Sequence, residues 1–254
     1  MNQQNNKEQE YNLEPSEMGL LDHLGELRKR LIYISISIFA ASCLAYYISP
    51  LVLEQLFQHF HNNFEKGMLI GTGPAEAFML KIKVAVFVGI LLSSPIIFLQ
   101  LWFFIAPGLY EHEKKMLLPF VGSTTFLFLS GVVFCNEIVF PFAFNFFKEQ
   151  YQTIPDITPA IRVSEHLTLI IQGLLGFGIV FEMPVVAYFL GRLGLITHKS
   201  MLGGLRYVIV LILVISAVFT PPDVITMFLM AVPLSGLYGI SILIVKFTEP
   251  KSLV

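Results

Sequence analysis

Charge is what this chain has least of. Only 13% of its 254 residues are Asp, Glu, Lys or Arg, about half the ~25% of an ordinary soluble domain. With 55% hydrophobic residues and a mean hydropathy of +0.73, that shortage excludes a soluble domain and indicates an integral membrane protein. The net charge of -2 leaves no basic excess for nucleic acid or for general anchoring on anionic lipid. Cysteine is scarce as well. Cys43 and Cys135 fall inside apolar runs, where they read as small buried hydrophobes, so no disulfide, metal site or cofactor is expected. Aspartate occurs only as Asp22, Asp156 and Asp223, all at the edges of apolar runs. That excludes an intramembrane aspartyl protease, and the missing Gly-x-Ser-Gly and His-Glu-x-x-His patterns argue against serine and zinc proteases. The polar stretch Met1–Glu17 has no basic region leading into an apolar one, so it reads as a tail rather than a signal peptide. No direct or inverted repeat is visible, against a transporter built from two related halves.

What is present is a series of apolar runs separated by short polar punctuation. Leucines at 20, 21, 24, 27 and 31 have helical spacing and predict an amphipathic surface helix running into the first span. Span one covers about Leu31 to Ile48 and ends at Pro50. The mixed stretch from Pro50 to Gly73 reads as a short interfacial helix. Pro74 suits the start of a helix, and span two follows from about Val84 to Ala106, with Lys81 and Lys83 able to reach outward from its end. Span three runs from about Met116 to Phe134. A long connection, Asn136 to Arg162, holds an aromatic, helix-compatible part at Phe140 to Phe147. Span four is about Leu167 to Leu190. Span five has only Tyr207 to Phe219 uninterrupted, about 20 Å of helix against a hydrocarbon core of about 30 Å. Span six runs from about Val224 to Val245 and contains Pro233. The expectation is an all-α integral membrane protein of six transmembrane helices with short fifth and sixth spans. A polar tail over 1–18 and a short tail over 247–254 flank the membrane domain, 19–246.

Six spans put both termini on one side. Lys7, Arg28, Lys29, Arg30, Lys114, Lys115, Arg192, Lys199, Arg206, Lys246 and Lys251 fall on that side, against Lys66, Lys148 and Arg162 on the other. The positive-inside rule makes the terminal side cytoplasmic. The bend Ile105–Lys115, broken by Pro107-Gly108, then displays Glu111, His112 and Glu113 on the cytoplasmic face. Asp22-His23-Leu24-Gly25-Glu26 precedes span one on the same face. Carboxylates at a reachable surface suit planar, permanently charged guanidiniums. Two plainer readings compete: Glu26 pairing with Arg30 one turn on, worth about 0.2–0.5 kcal/mol, and Glu113 as a solvated charge offset by Lys114.

Within span four, Gln172 and Glu182 lie in otherwise apolar sequence. Pro184 frees a backbone carbonyl one turn earlier, so Glu182 is expected to sit at a polar notch, with Gln100 of span two contributing; helix packing is the plainer account. Thr220 and Asp223 in Thr220-Pro221-Pro222-Asp223 have capping-box spacing for span six. Gly173, Gly176 and Gly178 follow no strand, which rules out a dinucleotide fingerprint and leaves close helix packing. His23 and His112 lack partners at metal-ligand spacing and read as solvated.

Taken in order, His23-Leu24-Gly25-Glu26-Leu27-Arg28-Lys29-Arg30-Leu31, Ser94-Pro95, Phe104 to Lys115, Phe177-Gly178-Ile179-Val180-Phe181-Glu182-Met183-Pro184-Val185 and Phe219-Thr220-Pro221-Pro222-Asp223 resemble the TatC family of twin-arginine translocase subunits. The similarity extends from about Gly19 to Val245. It implies a concave six-helix bundle in the bacterial cytoplasmic (inner) membrane, homo-oligomeric in its receptor complex and in contact with lipid. It also implies a receptor for folded proteins bearing Arg-Arg signal peptides, working with TatB-like and TatA-like single-span partners under the proton-motive force. By the resemblance, Glu26 and Glu113 contact the twin arginines, with His23, Leu24, Arg28, Pro107 and Tyr110 around them. Glu182 faces a pocket shared with lipid, water and a partner helix, and importance falls on Asp223. No covalent catalysis is expected. The rival function is a proton-coupled secondary transporter of a small solute, which buried acids would suit but the missing pseudo-symmetry does not.

Overall fold

The structure is a computed structural model that describes residues 20–64, 67–105, 117–154, 156–219 and 224–248. Helix α1, Leu20–Asn63, carries the leucine-rich surface turns straight into the first apolar run. Two limbs, His23–Ala45 and Ser49–Asn63, meet at 86°, and the cause is Pro50. A proline cannot donate to the carbonyl four residues back, here Tyr46, and the Ser49 hydroxyl donates to that carbonyl instead at 2.8 Å. The same device recurs in α2, Glu76–Ile105. Pro95 frees the Leu91 carbonyl, and Ser94 Oγ donates to it at 2.7 Å. In each Ser-Pro pair the serine hydroxyl satisfies the carbonyl that the proline leaves without an amide donor.

Helices α1 and α2 form the most extensive pairing. Ser93 of α2 donates to the Ser37 carbonyl of α1 at 3.0 Å. A Cβ added at Gly89 would come within 2.9 Å of the Ser42 backbone nitrogen, so the helices cross at near backbone contact.

Helix α3, Leu117–Phe134, does not stop where the apolar run was expected to yield to a connection. It passes through a π-helical turn, Cys135–Val139, into α4, Phe140–Gln152, as a 34-residue element from Pro119 to Gln152. Pro141 has no N–H for the Glu137 carbonyl, and just before it the ladder widens so that Phe140 N–H donates to Cys135 O.

The fourth apolar run is α5, Val163–Val180, and α6, Met183–Arg192. Its break at Phe181-Glu182 comes one residue short of Pro184, with Met183 between. Glu182 N–H donates only three residues back, to Ile179 O at 3.1 Å, and the Val185 and Val186 amides restart the helix from the Glu182 carbonyl at 3.0 Å each. After α7, His198–Gly203, the fifth run is α8, Leu205–Phe219, and the sixth is α9, Val224–Thr248.

Four elements are long and apolar enough to cross a membrane, and the bent α1 makes a fifth. Helix α8, at 15 residues, is about 22 Å long. A short sixth run is not observed: α9 has 25 residues, about 37 Å, and continues through Pro233. The all-helical expectation also omits a two-stranded parallel ribbon, β1 Met68–Ile70 against β2 Ala160–Arg162. It joins the α1–α2 and α4–α5 connections at the end of the bundle opposite the start of α1. Pro159 and the Gly71-Thr72-Gly73-Pro74 turn bound segments too short for period-2 patterning to register.

At the ribbon end the core is aromatic. Phe57, Phe60 and Phe144 pack around His166, which is 3% exposed, and Phe140 packs in turn on Phe144. Nearer the start of α1, Trp102 packs edge-on against Phe120 of α3 and Phe189 of α6 at centroid distances of 3.9 and 5.0 Å. Much of the outward surface is large and apolar, including Phe39, Leu44, Phe126, Val210 and Val232, as a lipid-facing surface requires.

Candidate functional site

The first site lies where the start of α1 meets the end of α2. Gly25 and the charged positions after it place Glu26 and Arg30 one turn apart on one face. The Arg30 side chain crosses to α2. Its Nη2 donates to Glu26 Oε1 at 2.9 Å and its Nη1 to Gln100 Oε1 at 3.1 Å. Its guanidinium carbon lies 5.0 Å from the Phe103 ring centroid. Both members of the ion pair are largely covered, with side-chain exposures of 20% for Glu26 and 25% for Arg30. Arg30 Nε is buried with no acceptor among the described residues. One turn nearer the start of the chain, His23 stacks on Phe104 with ring centroids 4.4 Å apart, so it is packed on an aromatic face rather than fully solvated. Leu24 and Arg28 are exposed on the same helical turns.

This arrangement holds the Arg30 guanidinium by three means at once: a carboxylate, an amide oxygen and an aromatic face. The Glu26–Arg30 pair was legible in the sequence. Its extension to Gln100 and Phe103 was not, because the 70-residue separation is closed only by helix packing. A glutamine within an apolar run was the available signal. Glu113, Pro107 and Tyr110, expected at the same site, lie outside the described residues.

The second site is the α5–α6 break. Glu182 is partly buried, its Oε1 has no hydrogen-bond partner among the described residues, and Pro184 is buried close by. The break is pressed against α3: a Cβ on Gly131 would lie 2.7 Å from the Phe177 carbonyl and 2.8 Å from Phe181 Cβ. Gly131 comes 14 residues into α3, about 21 Å along it, which places the break deep in the bundle. Gln100, expected to contribute to this notch, is instead bonded to Arg30. It lies five residues before the end of α2, about 7 Å in, too near the rim to serve the interior. A groove of about 380 Å3 beside the break is walled by Pro119, Phe120, Leu127, Pro184, Tyr188 and Ile244; its lining is almost wholly apolar. Thr220, Pro221, Pro222 and Asp223 lie outside the described residues. Among the described residues no three His, Cys, Asp or Glu side chains gather into a metal-holding group.

Comparison with known proteins bears on the family of the chain. A family profile described as "Sec-independent protein translocase protein (TatC)" matches residues 22–233. The chain is 41% identical over 233 residues to the Sec-independent protein translocase protein TatC of Helicobacter pylori J99, covering 91% of this chain and 90% of that protein. It is 34% identical over 241 residues to TatCy of Bacillus subtilis, covering 93% and 92%. Two crystal structures of a twin-arginine translocase receptor TatC superpose with TM-scores of 0.80 and 0.81 at 36% and 38% identity, covering 89% and 87% of this chain. With a family match over most of its length and the same fold as those structures, this chain belongs to the TatC family of Sec-independent protein translocase subunits.

Proposed function

We propose that this chain is the receptor subunit of a twin-arginine translocase, binding Arg-Arg signal peptides of folded proteins at the mouth formed by α1 and α2. The observation that carries the reading is the carboxylate of Glu26, held at that mouth and already bonded to a guanidinium. Glu113, in the bend after α2, supplies a second carboxylate, so that two adjacent arginines each have an anionic acceptor. His23, Leu24, Arg28, Pro107 and Tyr110 border the site. The basic residues beside it repel a basic peptide, so binding must depend on specific carboxylate pairing.

In this reading α8 also crosses the membrane, giving six spans in a bacterial cytoplasmic membrane with both termini cytoplasmic, as the distribution of Lys and Arg supports. TatB-like and TatA-like single-span subunits complete the assembly, and the proton-motive force drives export. Glu182 provides a polar point for a partner helix or water within the bilayer, and Thr220 to Asp223 form the turn on the far side. The deciding experiment is photo-cross-linking in membranes of an Arg-Arg signal peptide to probes beside Glu26 and Glu113, with a Lys-Lys peptide in parallel. Labelling should be strong for Arg-Arg, weak for Lys-Lys, and lost in the Glu26→Gln, Glu113→Gln double variant. Labelling indifferent to both changes would return the secondary-transporter reading to the front.

A further inference from the structure

We propose that Arg30 is a resident stand-in for the incoming peptide guanidinium: it occupies Glu26 when no signal peptide is bound and is exchanged for a peptide arginine on binding. This rests on the receptor reading above and specifies how its site is regulated.

The contacts of Arg30 are those a bound arginine ligand would make. Glu26 Oε1 and Gln100 Oε1 accept from its two terminal nitrogens at 2.9 and 3.1 Å, and the Phe103 ring lies against its guanidinium. Three groups from two helices converge on one guanidinium, at the end of the molecule where the peptide arginines are read. Yet the fit is incomplete. Among the described residues only one oxygen of Glu26 accepts from a side chain, so the pair is single-pronged, and Arg30 Nε–H is buried without an acceptor. Two features of the chain force this. Arg30 is tethered four residues from Glu26 on the same helix, which limits the angle at which its planar fork can approach. It must also reach sideways to Gln100 on α2. An arginine on a free peptide has neither constraint and can present two N–H groups to one carboxylate, the stronger geometry. The resident pair is therefore good enough to neutralise Glu26 in the empty receptor and weak enough to be displaced. A lysine has no fork with which to improve on the resident contact, so exchange against Arg30 favours Arg-Arg over Lys-Lys.

The opposite role, Arg30 as a positioning residue that holds Glu26 ready, predicts the opposite sign for its removal. The test uses the full chain in lipid nanodiscs and equilibrium binding of fluorescent Arg-Arg and Lys-Lys signal peptides to the wild type, Arg30→Gln, Arg30→Lys, Glu26→Gln and the Arg30→Gln, Glu26→Gln pair. Exchange predicts that Arg30→Gln tightens Arg-Arg binding by roughly two- to tenfold, given the modest worth of an i,i+4 pair and the removal of a like charge. Arg30→Lys, which keeps the charge and the stem but cannot bridge both acceptors, should tighten it less and guards against misfolding of the Gln variant. With Glu26→Gln already present, Arg30→Gln should have no effect. Unchanged or weaker binding in both Arg30 variants overturns the exchange while leaving the receptor standing. Tightening that persists in the Glu26→Gln background also overturns it, since the cause is then the overall charge of the rim. A wild type that does not prefer Arg-Arg overturns the receptor reading itself.

Discussion

Glu76, in the first turn of α2, accepts the backbone N–H of Ser164 at the start of α5 through Oε1 at 3.2 Å, across 88 residues of chain. Its other oxygen accepts the amides of Thr72 and Gly73. One carboxylate thus closes the turn before its own helix and caps another helix, whose own N-terminal neighbour, Arg162, makes no side-chain cap. Arg162 in turn donates to Thr72 Oγ1 and Glu165 Oε1 at 3.2 Å each. A carboxylate at two helix starts is favoured by the exposed amides and by the helix dipoles.

Replacing Glu76 with Gln should therefore loosen the ribbon end as a unit. The expected result is faster amide hydrogen exchange at both Thr72–Gly73 and Ser164, with a lower thermal midpoint in detergent. Exchange that rises at the α2 turn and not at Ser164 would show that the cap across the bundle contributes nothing.

The two Ser-Pro pairs make a second prediction. Ser49→Ala and Ser94→Ala each leave the carbonyl that the following proline cannot serve, of Tyr46 or Leu91, without its hydroxyl donor. Each substitution should cost about 0.5–1.5 kcal/mol, read as a shift in steric-trap or denaturant unfolding. Serine to cysteine, nearly isosteric but a weaker donor, should fall between.

Close helix crossings give a third. Gly131→Ala would bring a methyl to 2.7 Å from the Phe177 backbone oxygen, and Gly89→Ala would bring one to 2.9 Å from the Ser42 nitrogen. Both should destabilise by about 1–3 kcal/mol, because backbone cannot step aside. Gly122 and Gly239 have open space where a Cβ would go, so alanine there should be neutral or stabilising by up to about 1 kcal/mol. Equal losses at all four positions would refute the packing account.

Glu182 separates stability from function. Its buried Oε1, without a partner among the described residues, is a liability in the isolated chain, so Glu182→Leu should raise the unfolding free energy by about 1–3 kcal/mol. If the carboxyl serves transport, the same variant should assemble with its partner subunits poorly or export slowly. A variant that is more stable and exports folded cargo at the normal rate would reduce Glu182 to a packing residue.

The sequence by itself determined the class and the order of the apolar runs, because crossing a bilayer demands long stretches with few charges, and 13% charge over 254 residues leaves few other outcomes. It also marked the helix breaks at Pro50 and Pro184 and the acidic positions Glu26 and Glu182, since proline and buried charge act locally whatever surrounds them. Only the tertiary structure decided who meets whom. Composition cannot place Gln100 beside Arg30 rather than Glu182, nor Glu76 on the start of α5, because these contacts span 70 and 88 residues and depend on helix offset. The parallel ribbon was hidden for a related reason: three-residue strands carry no period of their own and exist through pairing with a segment far along the chain. The continuation of α3 through a π-turn into α4 was masked by Asn136 and Glu137, which read as the end of a span. Helical hydrogen bonding continues beyond the point where hydrophobicity stops, since the backbone ladder is indifferent to the polarity of the side chains it carries.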